Sequence, residues 1–168
     1  MNPSKILETT AALSQLVEQT VYVKYYDASK DESPGKEIVW YNGMIAMRIV
    51  IADGELEPGE VEFFRTAFGN PDWCRDMETM ANAISGMYEN MMTITSNAPK
   101  FFEILANHDV NNNTNLSAQA IKHIHGLITH VAQSDGRTSE DELQDASRIL
   151  MPLEKLLKEK DINYQLNN

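Results

Sequence analysis

The sequence contains few of the features that mark secreted, membrane or disulfide-linked proteins. Its single cysteine, Cys74, excludes an intramolecular disulfide and any metal site built on several cysteines. The longest strongly apolar run, around residues 44–52, is interrupted by Arg48 and is far shorter than the roughly 20 residues of a membrane-spanning helix. The first residues lack the charged-then-apolar profile of a secretory signal. These absences predict a soluble cytoplasmic protein.

Basic residues are also scarce. The 168 residues include 14 lysines and arginines against 25 aspartates and glutamates, a net charge of −11. Binding of nucleic acid or of an anionic membrane surface requires a basic face, so neither is expected. An acidic surface suits cations, basic partners or simple solubility. The length and the 42% hydrophobic content predict one well-cored domain covering residues 1–168.

Motifs of the common enzyme classes are missing as well. The chain has no G-x-S-x-G nucleophile turn, no P-loop and no G-x-G-x-x-G fingerprint. It has no Glu-x-x-His pair, which helical bundles use to build di-metal centres. We therefore expect a protein that is not an enzyme.

What the sequence does contain is helical periodicity along most of its length. No strand-like alternation is clear, so we predict an all-α fold, a compact bundle of about seven helices. The predicted helices span residues 4–26, 36–52, 57–68, 72–94, 99–108, 117–134 and 139–159. Polar loops are predicted at 27–35 and 109–115, and a frayed tail at 160–168.

Two segments, 36–69 and 117–151, repeat one pattern at a separation of 82 residues. In each, an apolar helix runs into Asp-Gly, five further residues, a glutamate and a second amphipathic helix. The apolar positions of the second helix share a register, 61/64/68 in the first copy and 143/146/150 in the second. Such a repeat predicts two helix–turn–helix units related by a pseudo-twofold axis.

The repeat places four carboxylates at equivalent positions: Asp53, Glu60, Asp135 and Glu142. They are the candidate metal ligands, and Ca²⁺ or Mg²⁺ is the ion that carboxylate oxygens suit. The pattern is not an EF-hand, because the preceding ligand positions would be hydrophobic in the first copy. An alternative interpretation is purely structural, with each glutamate completing a capping box at a helix start. The sequence leaves both interpretations open.

The motif also resembles a known family. Ala52-Asp53-Gly54 with Glu60, and Ser134-Asp135-Gly136 with Glu142, are similar to the signature of the tellurite-resistance TerB-like family and of the N-terminal region of DjlA-type co-chaperones. The resemblance covers residues 37–155. It implies a compact helical bundle with pseudo-twofold halves and an acidic, cation-binding surface. The function it implies is that of a non-catalytic interaction module associated with tellurite resistance or another stress.

Other partners and activities remain as alternatives. Protein partners are expected, membrane-associated ones among them, and homodimer formation is left open. One alternative is a divalent-metal-dependent enzyme that uses the four carboxylates as an inward cluster. Another is an adaptor that binds a partner helix through a methionine-rich face on helix 72–94, formed by Met77, Met80, Ile84, Met87 and Met91.

The remaining chemistry-bearing residues give weaker signals. His123, His125 and His130 are separated by 2, 5 and 7 residues, spacings that do not bring two imidazoles of one helix onto a metal. Cys74 is expected to be a buried apolar residue, with a thiol activated by Arg75 as the alternative. His108 is expected at the end of a helix.

Overall fold

The computed structural model describes residues 3–25, 33–52, 54–133 and 138–164. Over these ranges all regular structure is helical, which confirms the all-α prediction. The helices are α1 (Pro3–Tyr25), α2 (Pro34–Val50), α3 (Pro58–Ala67), α4 (Met77–Thr93), α5 (Lys100–Asn112), α6 (Leu116–Val131) and α7 (Glu140–Glu159), with a 3₁₀ turn at Asp72–Cys74. None of the described helices is long and apolar enough to cross a membrane.

Helix α2 lies at the centre of the bundle. Its sequence is apolar on nearly every side, so it packs against α1, α4, α5, α6 and α7. Ile38, Met44, Ile45 and Ile49 are all at most 2% exposed. One contiguous core includes buried residues from all seven of these helices.

The two repeats share their local structure. Helices α2 and α6 begin at Pro34 and Leu116, and α3 and α7 begin at Pro58 and Glu140, so both pairs are offset by the same 82 residues. Their surroundings differ, because α7 packs on α2, α5 and α6 whereas α3 packs mainly on α1, α4 and the 3₁₀ turn. The twofold relation between the halves therefore stays a prediction.

The buried face of α7 differs from the predicted apolar stripe. Leu143 was expected in the core and is 59% exposed, whereas Glu142 and Asp145 are buried. Helix α7 also continues through Pro152, although a proline inside a helix usually kinks or ends it. The other predicted positions do face the core: Val61 and Phe64 are buried, and Phe68, Ala146 and Leu150 pack against it. Both copies also bury the preceding positions, 60/63/67 and 142/145/149.

A buried ion pair explains why Asp145 faces the core. Its Oδ2 lies 2.7 Å from Arg48 Nε on α2, and its Oδ1 accepts a hydrogen bond of 3.0 Å from Arg148 Nη1. The Arg48 Nε–H is not directed at the carboxylate, so this contact is electrostatic only, and Arg48 Nη1 contacts Met92 Sδ. The pair joins α2 to α7.

The predicted helix 72–94 is divided in two. Asp72 begins the 3₁₀ turn, and the residue that caps α4 is Asp76. Asp76 Oδ1 accepts from Thr79 N at 2.9 Å, and Thr79 Oγ1 accepts from Asp76 N at 3.0 Å. This reciprocal pair fixes the start of α4 at Met77. The preceding helix ends as predicted at Gly69, which has φ +75°.

Helix α5 is longer than predicted, and the loop that follows it is shorter. The helix runs to Asn112, and Asn113 ends it with φ 54°. His108 therefore lies within the helix, buried, with Nδ1 3.0 Å from Thr114 Oγ1. The asparagine-rich composition indicated a loop, but the contacts of Asp109 described below hold this corner as helix.

The residues after α7 remain packed as far as the structure describes them. Ile162 and Tyr164 contact the core, and the Glu154 carboxylate lies beside Tyr164. Burial and this carboxylate raise the pKa of Tyr164 to about 12. Residues 160–164 are thus not the frayed end expected from the sequence, and 165–168 lie outside the described residues.

The turn after α2 gives a first testable prediction. Gly54 has φ +86°, a conformation that side chains other than glycine tolerate poorly. We expect Gly54→Ala to lower the free energy of unfolding by about 1 kcal/mol. The matched control is Gly86→Ala, because Gly86 lies within α4 with open space around it. There the same substitution should raise the free energy of unfolding, by at most about 1 kcal/mol. Denaturant unfolding tests whether the free energy of unfolding falls in Gly54→Ala and rises in Gly86→Ala. Equal changes in the two variants would contradict the positive φ assigned to Gly54. Gly136, its counterpart in the repeat, lies outside the described residues.

Candidate functional site: an apolar groove along α2

A groove of about 740 Å³ is bounded by α1, α2, α4 and the 3₁₀ turn. Its apolar lining comes mainly from Val39, Trp40, Met47, Trp73 and Met87, and we call this surface the α2 groove. Its volume and apolar character are those of a binding site.

The floor of the α2 groove is one face of α2. Residues 36, 39, 40, 43 and 47 follow helical spacing and line it, while the opposite face is in the core. Val39 and Trp40 are 43% and 49% exposed, a large apolar area for a surface helix. Gly43 keeps the floor open, because a Cβ added there would meet no atom within 4 Å.

The walls of the α2 groove are held by specific contacts. Trp73 packs against Phe64 and Phe68, with ring centroids 5.7 and 5.9 Å away. Trp40 and Trp73 are the two tryptophans of the chain, and both line the groove. The methionine-rich face predicted on helix 72–94 contributes to this wall only through Met87, since Met80 and Met91 are fully buried in the core.

The α1 wall depends on a close approach between α1 and α2. Gly35 N donates to Glu18 Oε1 at 3.1 Å, and a Cβ at Gly35 would overlap Ser14 Oγ and lie 2.8 Å from Glu18 Cγ. Ser14, Glu18 and Gly35 all line the groove. The absence of a side chain at Gly35 thus lets a carboxylate sit at the edge of an apolar surface.

The predicted metal ligands Glu60 and Glu142 have helix-capping contacts. Glu60 Oε2 accepts from Glu57 N at 2.7 Å, and Glu142 Oε2 accepts from Ser139 N at 2.6 Å. Ser139 Oγ in turn accepts from Glu142 N at 3.1 Å, the reciprocal pattern of a capping box. Both glutamates are 5% exposed. The capping contacts predicted for these two residues are therefore present.

The other two candidate ligands, Asp53 and Asp135, lie outside the described residues. Glu60 and Glu142 begin helices with different packing neighbours, α3 and α7. Within the described ranges, no three or more histidine, cysteine, aspartate or glutamate side chains are grouped in a way that could hold a metal ion. The Ca²⁺ or Mg²⁺ site at the Asp-Gly turns therefore stays a prediction.

His123 belongs to a largely buried polar cluster with Thr10 and Asn42 rather than to a histidine site. Its Nε2 lies 2.8 Å from Thr10 Oγ1 on α1 and 3.0 Å from Asn42 Nδ2 on α2. Asn42 is an N–H donor at this distance, so Nε2 is an acceptor and the imidazole is neutral. Burial lowers the pKa of His123 to about 4. His130 lies elsewhere, with Nδ1 2.6 Å from Gly126 O.

Cys74 is inert in this environment. It is fully buried, and its Sγ–H donates to Pro71 O at 3.6 Å. Burial raises the pKa of its thiol to about 11, and the charge of Arg65 offsets this only in part. The prediction of a buried apolar cysteine is confirmed, and activation by Arg75 is not observed.

Comparison with protein-family models gives no match for this chain, and comparisons with curated proteins and with solved structures give none either. The functional interpretation therefore depends on the residues and on their geometry. Sequence reasoning missed the α2 groove, although a signal was present. The apolar residues of α2 occupy more of its circumference than one neighbouring layer can cover. They stand at positions 38, 39, 40, 41, 44, 45, 46 and 47.

Proposed function

We propose that this protein is a non-catalytic, TerB-like interaction module that binds the apolar face of a partner helix in the α2 groove. The observation that carries the proposal is the groove itself, with its exposed Val39 and Trp40. The TerB-like assignment is supported by the shared helix starts of the two repeats, and by the equivalent contacts of Glu60 and Glu142. The link to tellurite or another stress rests on the sequence resemblance.

The shape of the groove favours a helical partner. It is open to solvent and follows α2 from Lys36 to Met47, about 16 Å at the rise of an α-helix. That length fits two or three apolar side chains at i, i+4 and i+7 of an incoming amphipathic helix. The methionines in its floor and wall, Met44, Met47 and Met87, are unbranched and can adapt to such side chains.

The net charge of the protein favours a basic partner over a second copy of the same chain. Two copies of a chain with net charge −11 repel each other, whereas a helix with lysine or arginine on its polar face is attracted. The occupant that we propose is therefore a basic amphipathic helix of another protein.

The test uses the two groove tryptophans as reporters. The probe is a synthetic peptide of about 15 residues, with leucine at every third or fourth position and alanine, glutamine and lysine elsewhere. We expect saturable binding and a blue shift of tryptophan emission. Val39→Asp should weaken binding at least about tenfold, because the peptide would have to desolvate a carboxylate.

The matched control is Val110→Asp, which places the same charge at an exposed valine on α5, outside the groove. Gly43→Leu is a second, uncharged variant, because its side chain would fill the floor. Equal weakening by Val39→Asp and Val110→Asp, or no response to the peptide, would contradict groove binding. Circular dichroism verifies that each variant is folded.

A further inference from the structure

The edge of the α2 groove carries a carboxylate, that of Glu18. Glu18 lines the groove from α1, and its Oε1 is bound by Gly35 N at 3.1 Å. This hydrogen bond holds the side chain against the groove, whereas most surface glutamates sample many rotamers. A positioned carboxylate beside an apolar surface is suited to pairing with a cation.

Among the residues that the structure describes, the other charged side chain that lines the groove is Lys36, at the first turn of α2. Lys36 is exposed, and its ammonium group is carried on a flexible four-carbon stem. Glu18 is half-buried and shorter, so it stays at the groove edge. A ligand that fills the apolar floor would cover this carboxylate and leave its second oxygen without water unless the ligand supplies a donor.

We infer that the partner helix carries a lysine or arginine at the end of its apolar stripe and that this side chain pairs with Glu18. The inference rests on the proposed function, since it concerns an occupant of the same groove. It adds a rule of recognition: apolar residues at helical spacing give affinity, and one basic residue fixes which end of the helix lies against α1. A helix without that residue would bury a carboxylate without a partner.

The experiment is a double-mutant cycle. Two leucine–alanine–glutamine peptides differ at one position at the end of the apolar stripe, where one has lysine and the other has glutamine. This pair is made twice, once with the position at the N-terminus of the peptide and once with it at the C-terminus. Affinities are measured by tryptophan emission for the wild type and for Glu18→Gln. For one of the two termini we expect the lysine peptide to bind the wild type about five- to tenfold more tightly than its glutamine counterpart. In Glu18→Gln this ratio should fall to about one.

The control variant is Glu8→Gln, which removes the same charge from an exposed position of α1 that does not line the groove. It should keep the wild-type ratio. Equal ratios in wild type and Glu18→Gln would overturn the pairing, and would show that lysine is attracted only by the net charge. In that case, weaker peptide binding by Val39→Asp would still support binding in the α2 groove. If neither peptide binds, the proposed function itself fails, together with this inference.

Discussion

Replacement of Asp109 by alanine is expected to lower the free energy of unfolding by about 3–4 kcal/mol. Asp109 is 3% exposed, although it carries a charge. Its Oδ1 accepts from Leu116 N at 2.8 Å and from Thr114 Oγ1 at 2.6 Å. Its Oδ2 accepts from Ser117 N at 2.7 Å and from Ser117 Oγ at 2.5 Å.

The physical reason is that Asp109 caps a helix other than its own. Asn115, at the N-cap position of α6, makes no side-chain cap, so the first amides of α6 depend on a carboxylate from α5. Removing it leaves buried donors at Leu116 and Ser117 without an acceptor and removes an anion from a helix N-terminus. The corner between α5 and α6 should loosen.

Urea unfolding followed by far-UV circular dichroism measures this effect. Asp109→Asn keeps one acceptor oxygen and should lose roughly half as much. The matched control is Asp141→Ala, an exposed carboxylate in the first turn of α7, for which a loss below about 1 kcal/mol is expected. If Asp109→Ala cost no more than this control, the cap would not support the fold as described.

The second large effect is a dependence of stability on pH that originates at His123. Its pKa is about 4 in the folded protein, against 6.5 for the free side chain, so the unfolded chain takes up the proton first. The contribution of the neutral imidazole is complete above pH 6.5 and is lost as the pH falls towards 4. Its size is up to about 3 kcal/mol, from the difference between the two pKa values.

The pKa of His123 is low because of its burial and also because of its hydrogen-bond geometry. A proton on Nε2 would face the amide donor of Asn42, which lies 3.0 Å away and is 1% exposed. Because many carboxylates titrate in the same range, the measurement compares variants. The free energy of unfolding should fall less steeply between pH 6.5 and 4 in His123→Gln than in the wild type.

His125→Gln is the control for this comparison, since His125 lies two residues further along α6 and outside the polar cluster. It should keep the wild-type slope. Identical slopes for all three proteins would show that His123 does not couple protonation to folding. The chemical shifts of the His123 ring, followed against pH, give its pKa directly.

The features that sequence predicted well are those set by neighbours along the chain. The capping box of Ser139 and Glu142 was readable because both of its hydrogen bonds close within three residues. The end of α3 at Gly69 was readable for the same reason, since only glycine adopts φ +75° at little cost.

The features that sequence missed depend on contacts between distant residues. Asp145 faces the core because Arg48 lies 97 positions earlier in the chain and meets it across the bundle. Asp109 was assigned to a loop because the backbone amides that donate hydrogen bonds to it lie on the next helix. The groove was missed because periodicity shows that α2 has several apolar faces but not which of them a neighbour covers.

The most direct test of the central claim is to map peptide binding on the amide and methyl spectrum of the isotope-labelled protein. The leucine-rich lysine peptide should shift the signals of Val39, Gly43, Met47 and Met87 and the indole signals of Trp40 and Trp73. Signals of the smaller cavity of about 390 Å³ between α1 and α6, at Leu16 and Gln119, should remain in place. Shifts centred on that cavity, or spread evenly over the surface, would contradict binding in the α2 groove.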